Sequence, residues 1–129
     1  MPRVFLCSPT SGVVKQINVG LGIFNTVCAS VTAWAKTLSM EVAADGVTVN
    51  CVLPSKIDTA SMKKMMEGMA KIRKKRVSDV KKTLLQKMPM HRFGRPEELA
   101  NLIGFLASPA SSYINGANIP VDGGFFEAM

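Results

Sequence analysis

The densest group of charged side chains lies in residues 63–87, where ten lysines and arginines accompany only Glu67 and Asp79. The segment therefore carries +8, and because the whole chain carries +7, the remainder is near −1. We expect this segment to form a solvated helical face. The alternative is that such a patch binds a phosphate group, a nucleic acid or an acidic membrane surface. Nucleic acid is disfavoured because the segment lacks interleaved aromatic residues and any known binding motif.

Metal-ligating and redox-active residues are sparse. The chain has one histidine and three cysteines, Cys7, Cys28 and Cys51, none of which forms a Cys-x-x-Cys pair. We therefore expect no metal site and reduced thiols, which are typical of the cytoplasm.

We also expect no membrane span, since the sequence has no run of about 18 apolar residues. The first apolar stretch is too short for a signal peptide.

The hydrophobic pattern predicts alternating strands and helices within one modest domain. Strands are predicted at residues 3–8, 47–53 and 117–121, and helices at residues 24–44, between residues 58 and 88, and from Pro96 onward. In the long helix, apolar residues recur at steps of three or four and predict one buried stripe, formed by Val27, Val31, Trp34, Leu38 and Val42. This order of elements favours a parallel sheet. Gly20-Leu21-Gly22 precedes the long helix, but it lacks the third glycine of a phosphate-binding loop.

A family resemblance is carried by residues 92–126. They contain Arg-Phe-Gly-Arg-Pro-Glu-Glu, then a helix that ends Phe-Leu-Ala-Ser, then Ser-Ser-Tyr-Ile-Asn-Gly and finally Val-Asp-Gly-Gly. This run closely resembles the C-terminus of the short-chain dehydrogenase/reductase family. The resemblance implies the C-terminal half of a Rossmann-like, doubly wound α/β fold, with three parallel strands and flanking helices. Residues 1–129 would form a single partial domain, and residues 60–90 would form the substrate flap.

The resemblance also implies what is absent. Complete members need about 250 residues, and the missing first half would carry the glycine-rich turn that holds the cofactor pyrophosphate. In the family a Tyr transfers the proton, and a Lys four residues later lowers the pKa of that Tyr. Counting back from Asn50 places Phe24 and Cys28 at these two positions.

Other polar groups remain as catalytic candidates by the same resemblance. The usual serine position falls on Pro9, and the hydroxyls of Ser8 and Ser11 flank it, although both could simply cap loop backbone. A divergent branch of the family, in which other residues replace the Tyr, directs attention to Lys15 and Asn25. Lys15 could donate to a carbonyl oxygen or a phosphate, and the alternative is an ordinary surface lysine.

One cofactor-binding element is present by resemblance. Leu-Pro-Ser-Lys-Ile-Asp-Thr at residues 53–59 resembles the family's Pro-Gly-x-x-x-Thr loop, which binds the nicotinamide carboxamide of NAD or NADP. Pro54, Ile57 and Thr59 match, and Ser55 replaces the glycine, which would be unfavourable if that position needs a positive φ.

The flap that follows is rich in Met and Lys. It suits a small substrate with an apolar chain and an anionic group, such as an acyl thioester on a phosphopantetheine carrier.

Two functions follow from these features. The first is a divergent or truncated NAD(P)-dependent oxidoreductase of carbonyls or alcohols, of the 3-oxoacyl type, that is inactive as an isolated chain and depends on a homo-oligomer or on a separate N-terminal half. The second is a non-catalytic oligomerisation module, because a half sheet leaves an edge strand and apolar faces that need a partner.

Overall fold

The structure, a computed structural model, describes the backbone of residues 3–7 and all of residues 20–127. Three strands, β1 (Arg3–Cys7), β2 (Val47–Pro54) and β3 (Asn118–Val121), form one parallel sheet in that order. Arg3 lies opposite Val47, and Cys51 lies between Cys7 on one side and Asn118 on the other. The predicted α/β class with a parallel sheet is confirmed.

The described residues also form four α-helices, α1 (Gly22–Glu41), α2 (Ala60–Arg73), α3 (Val77–Gln86) and α4 (Pro96–Leu106). Helices α1 and α4 contact β2, and α2 and α3 pack against each other. The central strand β2 is buried over six consecutive residues, 48–53, because a parallel sheet is covered on both faces. Among the described residues, no helix is both long enough and apolar enough to cross a bilayer.

The face of α1 that meets the sheet agrees only in part with the predicted stripe, of which Val31, Leu38 and Val42 pack against the core of β2. Its buried residues are small or polar, namely Cys28, Thr32, Ala35 and Ser39, and Ala35 packs against the buried side chains of β2. Trp34 is 51% exposed and Val27 is 54% exposed. The prediction was wrong for these two residues because periodicity counts apolar side chains, whereas close approach of a helix to a sheet favours small ones.

A second core lies beneath α2 and α3. It is formed by Met62, Met66, Ala70, Val80, Met88 and Phe93. Met side chains fill irregular gaps, which suits a core built by two short helices and a turn. This core positions the segment that follows β2 and the hairpin between α2 and α3.

Two asparagines fix the turn that precedes β3. The Asn50 side chain, which is 1% exposed, donates to the Ile114 carbonyl at 2.8 Å and accepts from the Ala117 N–H at 3.0 Å. Asn115 accepts from the Val49 N–H at 2.9 Å and donates to the Ser39 carbonyl at 2.8 Å. The turn is therefore tied to both β2 and α1, which sets the position of β3.

Candidate functional site

The candidate site begins where β2 ends, in the loop of residues 55–59. Ile57 pairs with Gly94 in an isolated parallel bridge, in which the Asp58 N–H donates to the Gly94 carbonyl at 2.8 Å and the Gly94 N–H donates to the Lys56 carbonyl at 2.9 Å. In an extended segment successive backbone groups point to opposite sides, so the N–H and C=O of Ile57 itself face away from Gly94.

Gly94 leaves room for the Ile57 side chain at this bridge. A Cβ atom at that position would lie 2.8 Å from Cδ1 of Ile57, so the end of that side chain would have to move. The sequence analysis did not identify Gly94 as a site residue. The sequence signal for Gly94 is its place between Arg92 and Pro96. That spacing resembles the family's pattern, but by itself it does not indicate a chemical role for Gly94.

Thr59 connects the loop to α2. Its side chain caps the helix, since the Met62 N–H donates to Oγ1 at 3.2 Å. Because Oγ1 acts there as an acceptor, its own hydrogen can still be donated to a ligand. Thr59 lies with Pro54 and Ile57 in the lining of one depression of about 350 Å³, to which Met62 and Met65 also contribute. The structure therefore brings the three predicted cofactor residues together.

Ser55 fits this loop without strain. Among the described residues, Lys74 and His91 are the non-glycine residues with a positive φ. The backbone of Ser55 is therefore not left-handed, and the expected penalty for replacing the family's glycine does not arise.

A network of charged groups holds the segment before α4 in place. Glu98 accepts two hydrogen bonds from the Arg92 guanidinium, at 2.7 and 2.8 Å, and one from the Arg95 N–H at 2.7 Å. These bonds, of which those from Arg92 are the strongest influence, lower the pKa of Glu98 from 4.5 to about 2. Glu98 is therefore an ionised cap of α4 at neutral pH.

Lys56 borders a second cavity, of about 340 Å³, on the other side of the loop. Partial burial lowers the pKa of its ammonium group, which lies 5.8 Å from the centre of the Phe125 ring. Arg92 and Glu98, which also line this cavity, are engaged with each other. Two of the charged groups in the lining are therefore already paired.

The remaining catalytic candidates are only partly described. Asn25 lies half-buried in the first turn of α1, and its N–H donates to the Leu21 carbonyl at 2.8 Å. Phe24 beside it is 44% exposed, and Cys28 is buried. Because α1 packs on β2 and ends shortly before β2 begins, this first turn lies toward the carboxyl ends of the strands, where loop 55–59 also lies. Ser8, Ser11 and Lys15 lie outside the described residues.

Helices α2 and α3, in the segment predicted as a substrate flap, place their lysines at different distances from this loop. Lys71 is twelve residues beyond Thr59 along the chain, a rise of roughly 18 Å on a helix. Lys71, Lys74 and Lys75 therefore do not border the depression beside Thr59 and instead line a different one. Among residues 20–127 and the backbone of 3–7, no group of His, Cys, Asp or Glu is arranged to hold a metal ion.

Comparisons with known proteins decide the family. A family model described as enoyl-(acyl carrier protein) reductase matches residues 4–126. The chain is 37% identical over 121 residues to a tropinone reductase homologue of Arabidopsis thaliana, an alignment that covers 94% of this chain and 41% of the relative.

The chain belongs to the short-chain dehydrogenase/reductase family. It is 32% identical over 109 residues to the 3-oxoacyl-[acyl-carrier-protein] reductase of Pseudomonas aeruginosa, which covers 84% of this chain and 40% of the relative. The solved structure of L-sorbose reductase from Gluconobacter frateurii, complexed with NADPH and L-sorbose, matches with a TM-score of 0.87 and 29% identity. That match covers 98% of this chain and 48% of the reductase. This short-chain dehydrogenase/reductase chain thus spans less than half the length of each of these three relatives.

Proposed function

We propose that this chain supplies the nicotinamide-facing half of an NAD(P)-dependent oxidoreductase of carbonyls or alcohols, and that it is inactive by itself. The proposal is carried by one observation: Ile57 and Thr59 line the same depression, with the backbone of Ile57 turned away from its Gly94 bridge. An N–H, a C=O and a hydroxyl are the groups needed to bind a carboxamide.

The residues present fit one end of the cofactor. When bound, NAD(P) would supply or accept the hydride, while the Ile57 backbone and the Thr59 hydroxyl would orient the nicotinamide ring. The one strand-to-helix connection that the structure describes in full, residues 55–59, contains no glycine. It therefore gives no cradle for the pyrophosphate. We propose that this part of the site comes from an N-terminal half, either as a separate chain or through a homo-oligomer.

The proposed substrate is a carbonyl compound with an apolar chain, of the 3-oxoacyl type. Met62 and Met65 line the depression beside Thr59 and offer a flexible apolar surface. Lys63 and Lys64 lie next to them on α2 and are exposed, so they could pair with an anionic group of an acyl thioester. The Pseudomonas aeruginosa relative is named for a substrate of this class.

Substitutions at Thr59 test the proposal in a chimera, in which the N-terminal half of the Arabidopsis relative precedes this chain. Thr59→Asn keeps an oxygen that can cap α2, but its side-chain donor is the amide nitrogen, which lies one atom further from the backbone than the Thr59 hydroxyl and so does not occupy its place. We expect this variant to bind NADPH about fivefold more weakly, the effect of one neutral hydrogen bond, while Thr59→Ser, the matched control, binds as the unsubstituted chimera does. Fluorescence titration with NADPH measures both affinities. Equal affinity of the Thr59→Asn variant, or no binding by a folded chimera, would contradict the proposal.

A non-catalytic interaction module is the second candidate, and the outer face of α1 favours it. Ile23, Val27 and Trp34 are exposed and lie on one side of that helix. Among the described residues, β1 pairs with β2 alone, so its other edge is open. On this hypothesis the chain sediments as a dimer or larger species, and Trp34→Ser shifts it toward the monomer. A monomer at all concentrations in sedimentation velocity would argue against it.

A further inference from the structure

The turn between α2 and α3 carries an unusual concentration of exposed charge. We call residues 71–77 the α2–α3 tip. Its five cations, Lys71, Arg73, Lys74, Lys75 and Arg76, are all exposed. Asp79 pairs with Arg76, at 3.0 Å, and the other four cations form no salt bridge with any residue in the described part of the chain. The tip therefore presents a strong positive field to its surroundings.

Apolar side chains lie among these cations. Ile72 is 85% exposed and Val77 is 41% exposed. On the opposite face of α2, Met62, Met66 and Ala70 enter the core, so packing does not account for an aliphatic residue at position 72. An exposed Ile between Lys71 and Arg73 instead combines two features. The cations attract negatively charged groups, and the Ile side chain gains free energy when it is buried in an apolar environment.

Lys74 adopts a backbone conformation that glycine would adopt more easily. It ends α2 with a φ of 51°, in the left-handed region. Lys71, Lys74, Lys75 and Arg76 line an open depression of about 520 Å³ together with Glu67, Ala70 and Val77. A lysine therefore occupies a position that is strained for it, at the rim of a cationic depression, and strain of this kind is found at functional sites.

We propose that the α2–α3 tip docks on the surface of bilayers that contain anionic phospholipids. Lys71, Lys74 and Lys75 bind headgroup phosphates at the depression, and Ile72 and Val77 enter the interfacial region beside them. A nucleic acid would match the charge but would offer no apolar environment to Ile72. The docking is peripheral and is independent of the function proposed above.

Flotation of the full chain with vesicles tests this inference. The chain should bind phosphatidylcholine vesicles that contain phosphatidylserine and should not bind vesicles of phosphatidylcholine alone. Each Lys near an anionic surface contributes roughly a fivefold gain in binding, so Lys74→Gly with Lys75→Gln should weaken binding by about twentyfold. Ile72→Ser, which changes no charge, should weaken it by about fivefold.

Lys63→Gln with Lys64→Gln is the matched control, because it removes the same charge from the other end of α2. These lysines lie roughly 10 Å or more from Lys71, and roughly 15 Å or more from Lys74, by helical rise. Both distances exceed a Debye length of about 8 Å at physiological salt, so we expect less than a threefold effect. Circular dichroism should show every variant folded, since glycine suits position 74. Equal losses in the two double variants, or no loss with Ile72→Ser, would overturn the proposal. Binding to duplex DNA in preference to vesicles, unaffected by Ile72→Ser, would assign the tip to nucleic acid instead.

Discussion

Phe24→Tyr combined with Cys28→Lys should raise the rate of ketone reduction by the chimera about a hundredfold or more. The family resemblance places the proton-transferring Tyr and its Lys at these positions, and a positioned general acid contributes typically 10²–10⁴-fold to a rate. Phe24 is partly exposed in the first turn of α1, so a phenol oxygen can be added there without displacing a neighbour. The rate of NADPH oxidation in the presence of a ketone measures the effect.

Ile23→Tyr is the control for this experiment. It adds a phenol one residue away, at a position that is 85% exposed, and the next residue on a helix points about 100° around the axis. We expect no gain from it. Cys28 is buried, so Cys28→Lys must be shown by circular dichroism to leave the chimera folded. If the chimera that keeps Phe24 and Cys28 reduces ketones at the same rate as the folded double variant, the proton comes from another group.

Asn50→Ala should be the most destabilising substitution of a polar residue in the described part of the chain. It leaves the Ile114 carbonyl and the Ala117 N–H without the partner that they have in a buried site. Each unsatisfied group costs about 1–3 kcal/mol, so we expect a loss of about 3 kcal/mol and a melting temperature lower by about 10 °C. Urea unfolding followed by circular dichroism measures the change in the free energy of unfolding.

Asn101→Ala provides the comparison, since Asn101 is exposed on α4 and alanine is the better helix former. We expect a change within about 0.5 kcal/mol for that variant. The same small change for Asn50→Ala would mean that the turn before β3 does not depend on this side chain. Asn115→Ala should be less than additive with Asn50→Ala, because both side chains hold the same turn.

The strands and α4 could be predicted from the sequence because their signals are local. β2 is rich in β-branched and apolar residues and ends at a proline, and α4 begins at Pro96 with Glu98 in its first turn. The inward face of α1 could be predicted only in part in this way: Val31, Leu38 and Val42 do pack against the β2 core, but the fully buried positions were not predicted. Ala35 and Ser39 face inward because the helix packs closely, and that depends on the sheet rather than on the helix.

Parts of the candidate site depend equally on contacts that are distant in sequence. Pro54, Ile57 and Thr59 were identified because they lie within one short motif. The Ile57–Gly94 bridge joins residues far apart in the chain, and nothing in the sequence around Gly94 indicates which residue it will face. The same holds for Asn50, whose polar side chain in an apolar strand is explained by the turn at residues 114–117.

The proposal that this chain is inactive by itself can be tested with one rate. This is the rate at which the unmodified 129-residue chain oxidises NADH or NADPH in the presence of simple ketones. The chain should show no turnover above the rate without protein, since the family resemblance places Phe24 and Cys28 at the positions of the proton-transferring pair. A robust rate, proportional to the concentration of a homogeneous preparation of the chain, would contradict the central claim that these residues form only part of a catalytic site.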